Sequence, residues 1–257
     1  VKRLQSKVVI VTGSSKGIGA ASAIKLASEG ASVVVNFYRG EVGARELVND
    51  IVNSGGSAIA VRADISKEAG VSTLFEATQR TFGSLDILVN NAGIFERAPL
   101  DKITEDHFYR HFNLNVLGLI LSCQQAIKFF GRNGGTIVNI SSIVSTTAPA
   151  CSTVYNATKA AVDSITKTLA KELAPRSIRV NAINPGLVDT EGLRATGFVK
   201  HLRKLATLTP PGRILLPEEV ACAVAYFASP ASSPLTGRTF DLSVPFRDGC
   251  FDSGTQV

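Results

Sequence analysis

The chain has 257 residues but no methionine and no tryptophan, and only four of its residues are cysteine. Cys123, Cys151, Cys222 and Cys250 form no C-x-x-C pair, so neither a redox dithiol nor a zinc ribbon is written in their spacing. No stretch near the N-terminus resembles a secretory signal, and no apolar run reaches the length of a bilayer span. A cytoplasmic protein with reduced thiols and no membrane partner is the expectation. Charged residues are scarce at 19% against 45% hydrophobic, which excludes wholesale disorder and leaves enough apolar side chains for a sizeable core. The formal charge of +6 favours an anionic partner. The basic residues are scattered, however, and no basic stripe interleaved with aromatics is present. Nucleic acid is therefore not expected, and a phosphorylated small molecule suits the charge. The lack of Met and Trp has no physical account.

What is present is alternation. Lys7 to Thr12 reads as a strand buried on both faces, and a helical pattern with Ile18, Ala21 and Ile24 follows, stopped by Gly30. Strands are predicted at Ser32–Asn36, Ala58–Val61, Asp86–Asn90, Thr136–Ile140, Arg179–Ile183 and Gly237–Leu242. Between them helices are predicted at Glu41–Ser54, Lys67–Phe82, Thr104–Phe130, Val154–Lys171 and Pro217–Ala228. Asn184-Pro185-Gly186 is expected to break its strand, and Glu191–Leu208 reads as short helices in a loop. Strict β–α alternation implies an α/β fold: a doubly wound parallel sheet of about seven strands with helices on both faces. No linker or repeat divides it. One domain, 1–257, is expected, with a substrate loop at about 187–212.

Two groups of residues carry chemistry. The first is Thr12-Gly13-Ser14-Ser15-Lys16-Gly17-Ile18-Gly19, which joins the first strand to the first helix. Glycines there allow a tight turn and a close backbone approach to a pyrophosphate, which the helix N-terminus attracts. The second is Ser142, Tyr155 and Lys159. Tyr155 and Lys159 are i and i+4 on a predicted helix and share a face, while Ser142 closes a predicted strand. A hydroxyl, a phenol and an ammonium converging at a strand end make a proton-transfer site. A tyrosine with its ordinary pKa of about 10 is a poor base. The charge of Lys159 is expected to favour its phenolate.

The second strand informs the choice of nucleotide. Phe37 stands where a carboxylate would hold a ribose 2′-hydroxyl, and Lys16 and Arg39 are placed to reach a 2′-phosphate. NADP(H) is the preferred cofactor on this reading, with NAD(H) as the option it must beat.

These motifs, with Asp64, Asn90-Asn91-Ala92-Gly93, Asn115, Pro185-Gly186 and Thr190, resemble the short-chain dehydrogenase/reductase family from about Lys7 to Leu242. The resemblance implies that Tyr155 is the general acid in carbonyl reduction and the base in alcohol oxidation, with the charge of an oxidised nicotinamide as a second aid to the phenolate. It implies that Ser142 bonds the substrate oxygen, Lys159 also binds the nicotinamide ribose, and Asn115 holds a water in a proton relay. It places the cofactor on Gly13, Ser15, Lys16, Gly17, Ile18, Gly19, Tyr38, Arg39, Asp64, Ile65, Asn91, Ala92, Gly93, Tyr155, Lys159, Pro185, Gly186, Val188 and Thr190. Asp64 would contact the adenine, Val188 and Thr190 would fix the carboxamide, and the ring's pro-S face would meet the substrate. Reductases of 3-oxoacyl carrier proteins, glucose dehydrogenases and small-ketone reductases are the similar branches. Ile143–Val154, rich in Ser, Thr and Ala, suggests an open pocket with little charge. The competing reading is a cofactor-binding regulator or scaffold without turnover, against which the complete set Asn115, Ser142, Tyr155 and Lys159 argues.

His107 and His111 lie four apart on a predicted helix but lack the glutamate of H-E-x-x-H and an evident third ligand, so surface or helix-packing roles are expected and no metal. Arg194, Lys200, His201, Arg203 and Lys204 read as a solvated basic loop. The family expectation is a homodimer or homotetramer. The end of this chain departs from the common Val-Asp-Gly-Gly tail, which leaves the helix-based dimer as the safer assembly.

Overall fold

The computed structural model of the protein describes residues 2–195 and 212–243. Its strands are β1 (Val8–Val11), β2 (Ser32–Phe37), β3 (Ser57–Arg62), β4 (Ile87–Asn90), β5 (Gly135–Ile140), β6 (Ile178–Pro185) and β7 (Thr239–Leu242). They form one seven-stranded sheet in the order β3-β2-β1-β4-β5-β6-β7, and every pairing is parallel. The helices between them are α1 (Gly17–Ser28), α2 (Glu41–Asn53), α3 (Glu68–Phe82), α4 (Glu105–Phe112), α5 (Leu119–Phe129), α6 (Val144–Thr147), α7 (Thr153–Leu173), α8 (Glu191–Ala195) and α9 (Pro217–Ala228).

The unbroken apolar strands arise because each face of the sheet has its own core. Val9, Val11, Val33 and Val35 pack with Leu26, Leu47, Val220 and Val224 on one side. Ile10, Val34 and Leu88, one residue out of step, pack on the other with Leu74, Phe75, Leu119 and Val162. Successive strand side chains thus alternate between two dry layers. Burying each Leu- or Val-sized side chain stabilises the fold by about 1.5–3 kcal/mol.

Two expectations are corrected. β6 does not stop at Asn184-Pro185: Asn184 pairs with Asp241 and Pro185 with Leu242. Proline is tolerated because it is the last residue of the strand, and the ladder continues through the Gly186 N–H to the Leu242 carbonyl at 2.8 Å. The helix expected over 104–130 is interrupted. Between α4 and α5, residues Asn113–Gly118 wind into a π-helical segment, a widened turn that apolar periodicity does not register. Of the expected substrate loop, residues 196–211 lie outside the described residues, as do Lys200, His201, Arg203, Lys204 and Cys250. Arg194 is not a freely solvated charge, since Asp189 holds it in a two-bond fork at 2.7 and 2.8 Å. Among the described residues no helix is long and apolar enough to cross a membrane.

Candidate active site

Strand order reverses between β1 and β4. The loops leaving their C-terminal ends diverge to opposite faces there and open the crevice in which doubly wound sheets bind ligands. The glycine turn follows β1 and Asn91-Ala92-Gly93 follows β4, so the two motifs meet. Asn91 Nδ2 donates to the carbonyls of Thr12 and Gly13, both at 2.9 Å, while Thr12 Oγ1 accepts from the N–H groups of Asn91 and Ala92 at 2.9 and 3.0 Å. Contact this close has no room for side chains. Gly13 has a left-handed φ of 61°, and a Cβ on it would sit 2.7 Å from Ala92 Cα; one on Gly19 would sit 2.5 Å from Asn91 Nδ2. The first N–H groups of α1 receive no side-chain cap from Lys16, so they remain available to an anion. A cradle of backbone donors with no Cβ in the way fits a dinucleotide pyrophosphate.

Phe37 is buried, so no carboxylate stands at the end of β2. Tyr38 and Arg39 are exposed beyond it, as is Lys16. Ser15 Oγ reaches the Arg39 carbonyl at 3.4 Å, bringing this corner against the glycine turn. Neither Lys16 nor Arg39 forms an ion pair among the described residues. Asp64 after β3 accepts from Ser66 N–H and Oγ at 3.0 and 2.7 Å through Oδ1 alone, and Ile65 beside it is buried. Across the crevice, Gly17 faces Thr190, whose methyl would lie 3.4 Å from a Cβ there. Val188 pairs with Leu215 in an isolated bridge, and Pro185-Gly186 ends β6 beside them.

Ser142, Tyr155 and Lys159 converge where β5 ends. Ser142 stands beside the Tyr155 hydroxyl, and its Oγ lies 3.4 Å from the Pro185 carbonyl. Lys159 is only 6% exposed and donates from Nζ to the Ile140 carbonyl at 2.8 Å, 5.6 Å from the Tyr155 ring centroid. Ser141 Oγ donates to the Lys159 carbonyl at 3.1 Å and ties α7 to β5. Asn115, in the π-helical segment, is fully engaged. Its Nδ2 donates to the Ile94 carbonyl at 3.0 Å and to Thr158 Oγ1 at 3.1 Å, and its Oδ1 accepts from the Ile94 N–H at 2.9 Å. A Cβ on Gly93 would lie 3.2 Å from that Oδ1 and 3.9 Å from Lys159 Nζ, so the loop after β4 and the lysine are neighbours.

The electrostatics differ from the expectation for tyrosine. Burial pushes the Tyr155 phenol up to about 12, against which the neighbouring Ser142 hydroxyl works downward. Lys159 does not reverse this, because its ammonium is directed at the Ile140 carbonyl and is itself desolvated. Burial brings Lys159 down to about 8, opposed by the negative charge of Asp163. Asp163 was not singled out in the sequence, although it continues the series Tyr155, Lys159 by another i+4 step onto the same face. It is buried and accepts from Asn184 Nδ2 at 3.1 Å. Phe95 was also missed: its ring stands edge-on to Tyr155 with centroids 4.8 Å apart. A lone aromatic in a loop carries no sequence signal for that contact.

The histidines are buried rather than superficial. A third acidic side chain, Glu96, does approach them: one ligand atom from each of Glu96, His107 and His111 lies within 4.8 Å of the others. Most of these atoms are already committed, although His107 Nε2 is buried with no hydrogen-bond partner among the described residues. Glu96 is gripped in a fork by Arg110 at 2.8 and 2.9 Å, and both ring nitrogens of His111 have partners. Of the cysteines described, Cys123 is buried and its thiol is pushed up to about 12 by desolvation, while Cys151 and Cys222 are exposed.

Proton-handling side chains set beside a pyrophosphate cradle are the equipment of a nicotinamide-dependent oxidoreductase, and known proteins bear this out. Residues 13–243 match the family model described as enoyl-(acyl carrier protein) reductase. An uncharacterized oxidoreductase of Methylorubrum extorquens is 45% identical over 95% of this chain and 98% of its own. The 3beta-hydroxysteroid dehydrogenase 1 of Eggerthella lenta is 43% identical over 92% of each. The solved structure of the angucycline C-6 ketoreductase LanV with bound NADP is 32% identical, superposes with a TM-score of 0.87, and covers 93% of this chain and 95% of that one. The chain belongs to the short-chain dehydrogenase/reductase family.

Proposed function

We propose that the protein is an NADPH-dependent ketoreductase, or in reverse a secondary-alcohol dehydrogenase, with Tyr155 as the proton donor. The observation that carries this reading is the convergence of Ser142, Tyr155 and Lys159 within reach of the Gly13–Gly19 turn. When bound, the reduced nicotinamide supplies the hydride. The protein's own residues do the rest. Ser142 holds the carbonyl oxygen, polarising it and stabilising charge as it develops. Tyr155, kept protonated by its buried setting, gives its phenolic proton to that oxygen. Lys159 then stabilises the phenolate left behind, which recovers its proton from solvent water; the Asn115 side chain is spent on Ile94 and Thr158. In the oxidation direction the positive oxidised ring joins Lys159 in favouring the phenolate.

The cofactor would lie with its pyrophosphate on Gly13, Ser15, Gly17, Ile18 and Gly19, and its adenine by Asp64 and Ile65. Its nicotinamide ribose would lie by Lys159 and its carboxamide by Val188 and Thr190. The buried phenyl ring of Phe37 removes the carboxylate that would repel a 2′-phosphate, and Lys16 and Arg39 supply positive charge at that corner. One charge-assisted contact is worth about 1.5–3 kcal/mol, roughly a tenfold to hundredfold preference. The substrate class we infer is a hydrophobic ring ketone. Phe95 walls the pocket beside Tyr155, Ile143–Val154 carries no charged residue, and two relatives act on steroid and angucycline frameworks.

The test is a set of steroid, polycyclic and acyclic ketones followed by NADPH absorbance, repeated with NADH. A ring ketone reduced with at least a tenfold higher kcat/KM for NADPH is the expected result. Preference for NADH refutes the cofactor assignment, and NADPH binding with no turnover on any carbonyl favours the regulator.

A further inference from the structure

The four residues after Gly93 and Ile94 hold the wall against Tyr155, and they are tied down from several directions. Asn115 bonds both backbone groups of Ile94, Ala98 N–H donates to the Cys151 carbonyl at 2.9 Å, and Arg97 donates to the Ala150 carbonyl at 3.4 Å. The middle of the segment is held differently, by α4. His111 is fully buried, and its Nε2 accepts from the Glu96 N–H at 3.2 Å. A backbone N–H can only donate, so Nε2 carries the lone pair and Nδ1 the proton, which goes to the His107 carbonyl at 2.8 Å. One residue along the helix, Arg110 forks the Glu96 carboxylate and also bonds Asp106 Oδ2 at 2.8 Å. Backbone and side chain of Glu96 are thereby clasped together, and the neighbouring residue, Phe95, is the one whose ring edge meets Tyr155.

We propose that His111, with Arg110, is a positioning residue for the reaction: it clasps Glu96 so that Phe95 fixes the Tyr155 ring in line with the substrate oxygen. This rests on the reading of Tyr155 as the proton donor. The clasp works in one protonation state. A proton on Nε2 sets two donors against each other, and the Glu96 N–H loses its acceptor. The charged and titratable groups facing His111 among the described residues are His107 and Arg110 from its own helix and Glu96 from the loop. Burial, joined by the charges of His107 and Arg110, holds the imidazole below its ordinary range despite the opposite pull of Glu96 and of the His107 carbonyl. The clasp is therefore closed at neutral pH and opens only on acidification below the ordinary imidazole range.

Two measurements test it. Histidine NMR of the wild-type protein, which has three histidines, should show one imidazole with its proton on Nδ1 at neutral pH. That ring should titrate together with an acidic fall in kcat/KM. In His111→Gln the amide reproduces acceptor and donor without titrating. It should keep neutral kcat/KM within about threefold, the scale of one net hydrogen bond, and lose the acidic fall. His111→Phe should lower kcat more than it raises KM, by about tenfold or more, as a misplaced reacting group does. A proton on Nε2 in the wild type, or an unchanged acidic limb in folded His111→Gln, overturns the clasp. Tyr155→Phe run alongside separates the two readings: if it retains turnover, the donor assignment has failed, whereas if it is inactive the His111 result stands on its own.

Discussion

Tyr155→Phe should bind NADPH as the wild type does and reduce ketones at least ~100-fold more slowly, the scale of a positioned general acid. The substitution removes one oxygen and leaves the ring. Its edge contact with Phe95 therefore remains, and so does the helical turn that carries Lys159. The pyrophosphate cradle is built from Thr12, Gly13, Asn91 and Ala92 and does not involve the phenol. The loss is thus expected in kcat, with the dissociation constant of the cofactor unchanged. A mutant that turns over at a near-normal rate would mean the proton comes from elsewhere.

Lys159→Ala should be nearly as damaging, again about 100-fold, since it deletes the only cation the described structure places beside the phenol. Its pH signature distinguishes it. Burial lowers Lys159 to about 8, so its ammonium is present at neutral pH and is lost as pH rises through that value. Tyr155 at about 12 stays protonated over the same range. The wild-type rate of reduction should therefore fall on the alkaline side near pH 8, and the residual activity of Lys159→Ala should show no such fall. An alkaline limb that survives the substitution would assign it to another group.

Most of the sheet was legible from apolar runs and punctuation, because the central strands are buried on both faces and their polar residues are few against Val, Ile and Leu. The glycine turn and the Tyr155–Lys159 spacing were legible for a related reason: both are local, set by the geometry of one turn or one helix. What escaped were effects of distant contact or of environment. The π-helical winding carries Asn115, whose side chain bonds Ile94 and Thr158, and neither is a sequence neighbour. Glu96 joins His107 and His111 only because a loop folds back onto α4. The direction of the Tyr155 shift reversed because desolvation, invisible in a list of neighbours, outweighs a lysine whose ammonium is turned to a carbonyl. Pro185 extended a strand it was expected to end, since a proline does little harm where the strand is finishing.

The central claim is that a ketone carbon is reduced beside Tyr155 in the crevice of the glycine turn. Reduction of a turned-over ketone with NADPH carrying deuterium at the pro-S position tests it most directly. The account predicts one deuterium on the carbinol carbon of the product and none from deuterated solvent. An unlabelled carbinol, or label taken from water, would contradict it.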